Sequence, residues 1–295
     1  MMTLRHMRYF DALANTMHFG RAANLVNISQ PALSTQIAEL EKTLGTQLIE
    51  RGNPTLRLTE AGQALLPKIR AILDQVKAIE DERATSSELL SGKISLGVIP
   101  TVAPYLIPKL LPLIRQQYPN LEIELREAVT ASLVNELSFG RIDTIIAALP
   151  VSNASFEHEL LFVDRFLVAV ADNDLDVLTG PVEQEGFAPE RLLLLEEGHC
   201  LRDQALEVCQ LAPSRRRANF GATSLSTLLQ MVSNGMGMTL IPEIAVEVEA
   251  ARNAMRIVRF SEPEPSRTIG LLWRKSSTMK RDISALGELI RRVQF

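Results

Sequence analysis

The 295-residue chain has no long hydrophobic run, few aromatic residues and only two cysteines. A membrane-spanning helix needs about 18–20 consecutive apolar residues, and no segment of the sequence reaches that length. Residues 1–23 also lack the apolar core and small-residue cleavage site of an export signal. We therefore expect a cytoplasmic protein without membrane contact. In that reducing compartment, two cysteines do not form a permanent structural disulfide.

The chain also lacks a strong excess of either charge, since its formal net charge is −4. Residues 1–58 differ from the remainder, because they contain six Lys and Arg against four Asp and Glu. This distribution favours a small nucleic-acid-binding module on an acidic carrier. The four histidines and two cysteines show no metal-ligand spacing. We predict that the protein holds neither a metal nor a cofactor.

Three helices are predicted near the N-terminus. Residues 3–15 carry apolar side chains at helical spacing, and a shorter helix follows at about residues 19–26. A third helix begins after Ser29, whose hydroxyl can cap it, with Pro31 in its first turn. It ends at Gly45. Two short helices around a tight turn, the second with a small polar tip, indicate a helix-turn-helix.

A hairpin is predicted next, with strands at residues 48–50 and 56–58 around a turn at residues 52–54. Gln, Ser and Thr at the tip of the third helix can hydrogen-bond base edges, and arginines can reach the DNA backbone. The alternative is a three-helix interaction module that binds no DNA. The candidate DNA-binding residues are Arg21, Ser29, Gln30, Pro31, Ser34, Thr35, Arg51 and Arg57.

A long helix is predicted from Thr59. Its apolar residues alternate steps of four and three, the spacing of a coiled-coil seam; they are Leu65, Ile69, Ile72, Val76 and Ile79. A lone helix cannot bury such a seam, so a homodimer is expected. The alternative is that this apolar stripe packs on its own winged domain. Pro67 lies within the helix and is a candidate kink.

Beyond a predicted hinge at residues 84–92, strand and helix patterns alternate, which favours a parallel sheet with covering helices. We assign one subdomain to residues 93–163 and 269–295, and a second to residues 164–268. The cleft between two such halves is the default ligand site. Thr101 and Thr130 each follow a predicted strand and should face that cleft, although either could instead cap a helix.

The segments FGRAANLVNISQPALSTQIAELEKTLGTQLIER and LRLTEAG resemble the DNA-binding domain of the LysR-type transcriptional regulators over residues 4–66. The resemblance implies an α/β protein with an N-terminal winged helix-turn-helix (1–58), a linker helix for dimerisation (59–90) and a two-subdomain, periplasmic-binding-protein-like (type II) regulatory domain (91–295). It also implies double-stranded operator DNA and RNA polymerase as partners, and a homodimer or homotetramer. Its members act as activators or repressors.

Cys200 and Cys209 lie nine positions apart in a segment predicted to be helical over residues 200–211. Nine helical steps span about 13.5 Å and place the two thiols on nearly opposite sides, whereas a disulfide needs Cα atoms within about 7 Å. The two can therefore be bridged only if the helix unwinds and Leu201, Ala205 or Val208 leaves the core. From the spacing alone, it is an equally good interpretation that both cysteines are unreactive residues of the core.

Cys200 is placed in the first turn of that helix beside His199 and Arg202, a setting that favours a thiolate. A thiolate that attacks peroxide becomes a sulfenic acid, which a second thiol such as Cys209 can capture. The segment GHCLRDQA, with GVIPTVAPYLIP, FGATSLSTL and PEPSRTIGL, resembles the peroxide-sensing branch of the same family.

This second resemblance implies that Cys200 is the peroxidatic cysteine and Cys209 the resolving one, with hydrogen peroxide as the signal. A thiol reductant such as glutaredoxin or thioredoxin would reset the switch. The residues implied to position peroxide are Thr101, Thr130, His199, Asp203 and Arg267.

Some alternatives stay open. His199 could be an ordinary loop residue, and Arg267 could form a surface ion pair. The whole chain could instead bind a small-molecule coinducer in the cleft, with incidental cysteines, or act as a thiol peroxidase. Because the winged domain argues against an enzyme, we expect a transcription factor.

Overall fold

The computed structural model describes residues 1–51, 56–82, 88–174, 180–183, 191–209 and 222–294. The chain separates into two compact units, residues 1–85 and 86–295. In the described ranges, no helix combines the length and the apolar character needed to cross a bilayer. The predicted wing turn at residues 52–54 and residues 84–87 of the predicted hinge lie outside the described residues.

The first unit begins with the predicted helix-turn-helix and hairpin: α1 (Leu4–Thr16), α2 (Phe19–Leu25), α3 (Gln30–Leu44), β1 (Ile49–Arg51) and β2 (Leu56–Leu58). The Ser29 hydroxyl caps α3 by accepting from the Ala32 N–H, and Gly45 ends it in the left-handed conformation at φ 68°. Both boundaries confirm the prediction, because local cap chemistry alone determines them. Phe10 and Leu33 are completely buried in the core between the helices.

The long helix α4 (Glu60–Glu82) continues through Pro67. Thr59 caps it, since its hydroxyl oxygen accepts from the Gly62 N–H at 3.0 Å. Ile69 is fully buried against the core of the first unit, whereas Ile72 is 36% exposed. The predicted stripe is therefore divided: its beginning packs on its own winged domain, and Ile72 is left for another surface. The side chain of Ile79 lies outside the description.

The second unit holds one seven-stranded sheet in the order β4-β3-β5-β9-β6-β7, with β8 also paired to β6. Its elements are β3 (Gly92–Val98), α5 (Ala103–Gln117), β4 (Leu121–Glu127), α6 (Thr130–Ser138), β5 (Thr144–Leu149), β6 (Phe156–Ala171), α7 (Cys200–Val208), α8 (Leu225–Ser233), β7 (Thr239–Pro242), α9 (Glu243–Ala250), β8 (Met255–Val258), β9 (Ser266–Arg274) and α10 (Lys280–Arg291).

The prediction of a parallel sheet is correct only for β3, β4 and β5. The other pairings, β5 with β9 and β6 with β7, β8 and β9, are antiparallel. The reason is that β6 and β9 are long strands that run through both halves, and β9 returns beside β5 in the opposite direction. The predicted subdomain limits, after residues 163 and 268, therefore fall inside continuous strands. Val163 and Thr268, which lie at those limits, are cross-strand partners in the sheet.

Candidate functional site

Cys200 is the first residue of α7 and is half-buried. Gly198, at φ 97°, adopts the left-handed conformation in the turn that leads into the helix. His199 occupies the N-cap position, is 9% exposed, and makes no side-chain capping bond. The Arg202 N–H donates to the His199 carbonyl at 3.0 Å, so it is the N–H groups of Cys200 and Leu201 that can stabilise an anion near the Cys200 sulfur.

Cys209 lies at the other end of the helix, in the C-cap position, and is buried. Burial raises the pKa of its thiol to about 12. Both cysteines are free thiols that lie nine positions apart along an intact helix, and hence roughly 13 Å apart along its axis. This confirms that the helical form keeps the two sulfurs apart.

The core face of α7 agrees with the prediction and the helix buries one residue more. Leu201 and Ala205 are buried in the core, and Val208 is half-buried and packs against it. Leu206 is the additional buried residue. The helix ends at Val208, whereas it was predicted to residue 211; residues 210 and 211 lie outside the described residues. Any bridge between the thiols must still extract these core side chains.

Arg267 lies at the centre of a buried polar network. Its Nε donates to Asp164 Oδ2 at 2.9 Å, its Nη1 to Thr101 Oγ1 at 2.8 Å, and its Nη2 to the Thr101 carbonyl at 3.2 Å. Its guanidinium also lies over the Phe166 ring, 5.8 Å from the centroid. Arg267 is only 3% exposed, so the alternative of a surface ion pair is wrong.

The two threonines are not helix caps. The N-cap residues of α5 and α6 are Val102 and Val129, and neither helix has a side-chain capping bond. Thr101 and Thr130 follow β3 and β4, which pair in parallel. Because the carboxyl ends of neighbouring parallel strands meet at one edge of a sheet, both threonines lie at that edge.

Two buried acceptors have no partner. Thr130 Oγ1 and Gln204 Oε1 are inaccessible to solvent and make no hydrogen bond within the described part of the chain. An unpaired buried polar atom costs roughly 1–3 kcal/mol, which makes these two oxygens candidate contacts for a small polar ligand. Gln204 was not among the site residues predicted from the sequence. Its spacing of four residues from Cys200, which puts both on one helix face, is the signal that could have found it.

The remaining predicted residues lie close to Cys200 in sequence but do not join this network. The Arg202 guanidinium donates to the Leu195 carbonyl at 2.9 Å, and Asp203 is on the exposed side of α7. Within the described ranges, no hydrogen bond links Cys200, His199 or Asp203 to Thr101 or Arg267. The structure brings Thr101 and Arg267 into direct contact. Cys200 and Asp203 lie on α7, and His199 is its N-cap residue.

The candidate DNA-binding residues lie mainly on one exposed helix tip. Gln30, Pro31 and Thr35 are exposed on α3, and Ser34 is half-buried. The Ser29 hydroxyl is engaged as the cap of α3, as the Thr35 hydroxyl is with the Pro31 carbonyl. Two arginines elsewhere, Arg21 on α2 and Arg57 on β2, are exposed, and the Arg51 side chain lies outside the described residues.

No cluster of three or more His, Cys, Asp or Glu that could hold a metal ion occurs in the part of the chain that the structure covers. The described residues offer one thiol at a helix N-terminus, one buried thiol, one fixed guanidinium and two unpaired acceptors.

Comparison with known proteins agrees with both units. Residues 4–63 match the bacterial regulatory helix-turn-helix protein, lysR family. Residues 87–294 match the LysR substrate binding domain. Together the two matches leave only short stretches unassigned.

Curated relatives and solved structures match along nearly the whole chain. The DNA-binding transcriptional dual regulator OxyR of Escherichia coli is 40% identical over 98% of this chain and 95% of its own length. A full-length OxyR variant from Pseudomonas aeruginosa has a TM-score of 0.78 and 33% identity, covering 100% of this chain and 99% of its own. A hydrogen-peroxide-bound OxyR mutant from Corynebacterium glutamicum has a TM-score of 0.66 and 33% identity, and the match covers 99% of this chain and 94% of that one. The chain therefore belongs to the LysR family of bacterial helix-turn-helix regulators, in the group that contains the OxyR proteins.

Proposed function

We propose that this protein is a DNA-binding transcriptional regulator of the peroxide response, switched by a reversible disulfide between Cys200 and Cys209. One observation carries the proposal: the two thiols occupy opposite ends of one intact helix, the first half-buried at its N-terminus and the second buried. A bridge cannot form without a change of fold. The names of the relatives, which include hydrogen peroxide-inducible genes activators, support the same signal.

In the first step, the Cys200 thiolate attacks one oxygen of hydrogen peroxide and forms an S–O bond. The O–O bond breaks, and the leaving hydroxide takes a proton and departs as water. Cys200 is oxidised to a sulfenic acid and the peroxide is reduced. Thr101, Thr130, His199 and Arg267 would position the peroxide, with Asp203 arranging the α7 side of the pocket.

The hydrogen-bonding capacity of the pocket suits peroxide, which has two O–H donors and several lone pairs. Because Thr101 Oγ1 accepts from Arg267, the Thr101 O–H is oriented to donate elsewhere. The unpaired oxygens of Thr130 and Gln204 can accept from the two peroxide hydrogens. These side chains supply the kinds of donor and acceptor that a peroxide molecule would need.

In the second step, the Cys209 thiol loses its proton and attacks the Cys200 sulfur. The S–O bond breaks, the hydroxide leaves as water after taking that proton, and the disulfide forms. For this α7 must unwind and release Leu201 and Leu206, each of which contributes about 1.5–3 kcal/mol through burial. Since a packed core has discrete arrangements, the subdomain switches between two states rather than shifting gradually.

The regulator reads DNA with Gln30, Ser34, Thr35 and their neighbours on α3, while Arg21, Arg51 and Arg57 hold the phosphate backbone. Dimers formed through α4, or tetramers built from them, match two-fold operators. The proposal includes RNA polymerase as a partner, glutaredoxin or thioredoxin as reductant, a cytoplasmic location, and regulation rather than enzymatic turnover as the purpose of the thiol chemistry.

The test uses the full chain with stoichiometric hydrogen peroxide. Wild type should lose two free thiols, show one Cys200–Cys209 bridge by mass mapping, and change its operator footprint. Cys200→Ser should show no bridge and no change of footprint, and Cys209→Ser should stop at the sulfenic acid. An unchanged footprint after complete bridging of the wild type contradicts the proposal, as does a Cys200→Ser protein that keeps a full response to a metabolite.

A further inference from the structure

The residue opposite Arg267 in the sheet is the strongest feature that the sequence did not indicate. Asp164 of β6 and Arg267 of β9 are direct cross-strand partners, and they are 2% and 3% exposed. One carboxylate oxygen, Asp164 Oδ2, lies 2.9 Å from both Nε and Nη2 of the guanidinium. The other oxygen, Oδ1, accepts from the Ile244 N–H at 3.1 Å in the first turn of α9.

We propose that Asp164 is a positioning residue for peroxide reduction, whose carboxylate holds the Arg267 guanidinium in the one orientation that serves Thr101 and the peroxide. The inference rests on the proposed function and assigns Asp164 a part in it. Asp164 acts through Arg267 and does not itself touch the peroxide.

The donor pattern of Arg267 supports this role. The Nε–H and one Nη2–H face Asp164, the other Nη2–H faces the Thr101 carbonyl, and one Nη1–H faces Thr101 Oγ1. Among the described residues, this leaves a single Nη1–H with no acceptor. A guanidinium is a rigid planar fork, so the Nε hydrogen bond to Asp164 and the ion-pair contact of Nη2 with the same carboxylate determine where that last N–H points.

The Asp164 carboxylate contributes a negative charge that balances the buried Arg267 guanidinium. Burial raises the pKa of Asp164, while the Arg267 guanidinium and the Ile244 N–H oppose that rise and favour the carboxylate. As an ion pair, the two side chains bring a directional donor to the pocket with little net positive charge. Removal of the carboxylate charge would leave the cation uncompensated and free to turn away from Thr101.

The rates of two reactions of Cys200 distinguish a positioning role of Asp164 from a general effect on stability. Oxidation by hydrogen peroxide needs an aimed donor to the leaving oxygen, whereas alkylation by iodoacetamide needs only an accessible thiolate. In Asp164→Asn we expect the peroxide rate to fall roughly 10- to 100-fold, as for a misplaced catalytic group, while the alkylation rate stays equal or rises. A merely structural role would change both rates together with the melting temperature.

A double-mutant cycle tests whether the effect passes through Arg267. Arg267→Gln should slow peroxide oxidation by itself, and adding Asp164→Asn to it should cause no further loss. If Asp164→Asn does not fold, Asp164→Glu keeps the charge but displaces it and should give a smaller loss of the same kind. Arg165→Gln is the matched control, because Arg165 is the next residue of β6, is exposed, and pairs with Glu243 and Glu264 outside the network.

The outcomes are distinguishable. If wild-type Cys200 is not oxidised by low peroxide, the proposed function itself fails. If wild type reacts and Asp164→Asn reacts equally fast, or if both of its rates fall in parallel, the positioning role of Asp164 is overturned and the proposed function stands.

Discussion

The Tyr105 hydroxyl donates to Glu249 Oε1 at 2.9 Å and so joins α5 to the end of α9. Glu249 is 2% exposed and also accepts from the Ser226 hydroxyl at 2.6 Å and from the Asn253 amide at 3.4 Å. A buried carboxylate thus receives hydrogen bonds from three neutral side chains. Burial and the neighbouring carboxylate keep the pKa of Tyr105 far above its usual value, so the phenol remains a donor.

Tyr105→Phe should lower the free energy of unfolding by about 1–3 kcal/mol, because it leaves a buried acceptor short of a donor. Urea unfolding of the full chain gives the value. Tyr118→Phe is the control, since Tyr118 is half-buried at the end of the same helix and should be nearly neutral. Equal effects of the two substitutions would show that the Tyr105–Glu249 bond contributes nothing specific.

Thr130→Val should leave the free energy of unfolding unchanged or raise it by up to about 1 kcal/mol, because the hydroxyl it removes has no partner among the described residues. The same substitution should slow oxidation of Cys200 by peroxide. Thr144→Val is the contrast, since the buried Thr144 hydroxyl donates to the Leu272 carbonyl at 2.9 Å and its loss should destabilise by about 1 kcal/mol. Stopped-flow kinetics measure the rate of Cys200 oxidation by peroxide, and urea unfolding measures the free energy of unfolding of both variants. A peroxide rate in Thr130→Val equal to that of wild type would remove Thr130 from the site.

The buried Cys209 thiol should make stability depend on pH in alkaline solution. Its pKa rises from 9.0, the value of an exposed cysteine thiol, to about 12 in the folded chain. The stabilisation is complete below about pH 9 and is lost between pH 9 and 12, where the unfolded thiol is ionised and the folded one is not, by up to about 1.4 kcal/mol per pH unit. Cys209→Ala should flatten that part of the profile, measured by urea unfolding of the reduced protein. Identical slopes for the two proteins would contradict burial of Cys209.

The exposed part of the α4 stripe should serve dimerisation. Ile72→Glu should weaken the dimer about tenfold or more, because it places a charge in an apolar contact. Ala71→Glu introduces the same charge at an exposed position beside the stripe and should leave the dimer unchanged. Sedimentation velocity over a range of concentrations distinguishes them. An Ile72→Glu dimer as tight as the wild type would place the interface elsewhere.

The first unit could be predicted well from the sequence because its signals are local. Ser29, Thr59 and Gly45 end or begin helices through bonds to residues three or four positions away, and the sequence shows such neighbours directly. The same holds for the helix between Cys200 and Cys209, whose intact geometry alone excludes a bridge. The long-range consequences were predicted less well: the burial of Leu206 was not predicted, and part of the sheet was given the wrong strand direction.

By itself, the amino-acid sequence determined the helix-turn-helix, the family and the separation of the two thiols. Only the tertiary structure decided the environment of Arg267, because Asp164 is 103 residues away in the chain and Thr101 is 166 away. Strand register pairs Asp164 with Arg267, and the order of the strands brings the loop after β3, with Thr101, to the same guanidinium. Both follow from the packing of a whole sheet rather than from any local pattern. For the same reason, the unpaired oxygens of Thr130 and Gln204 became visible only when the folded chain showed what surrounds them.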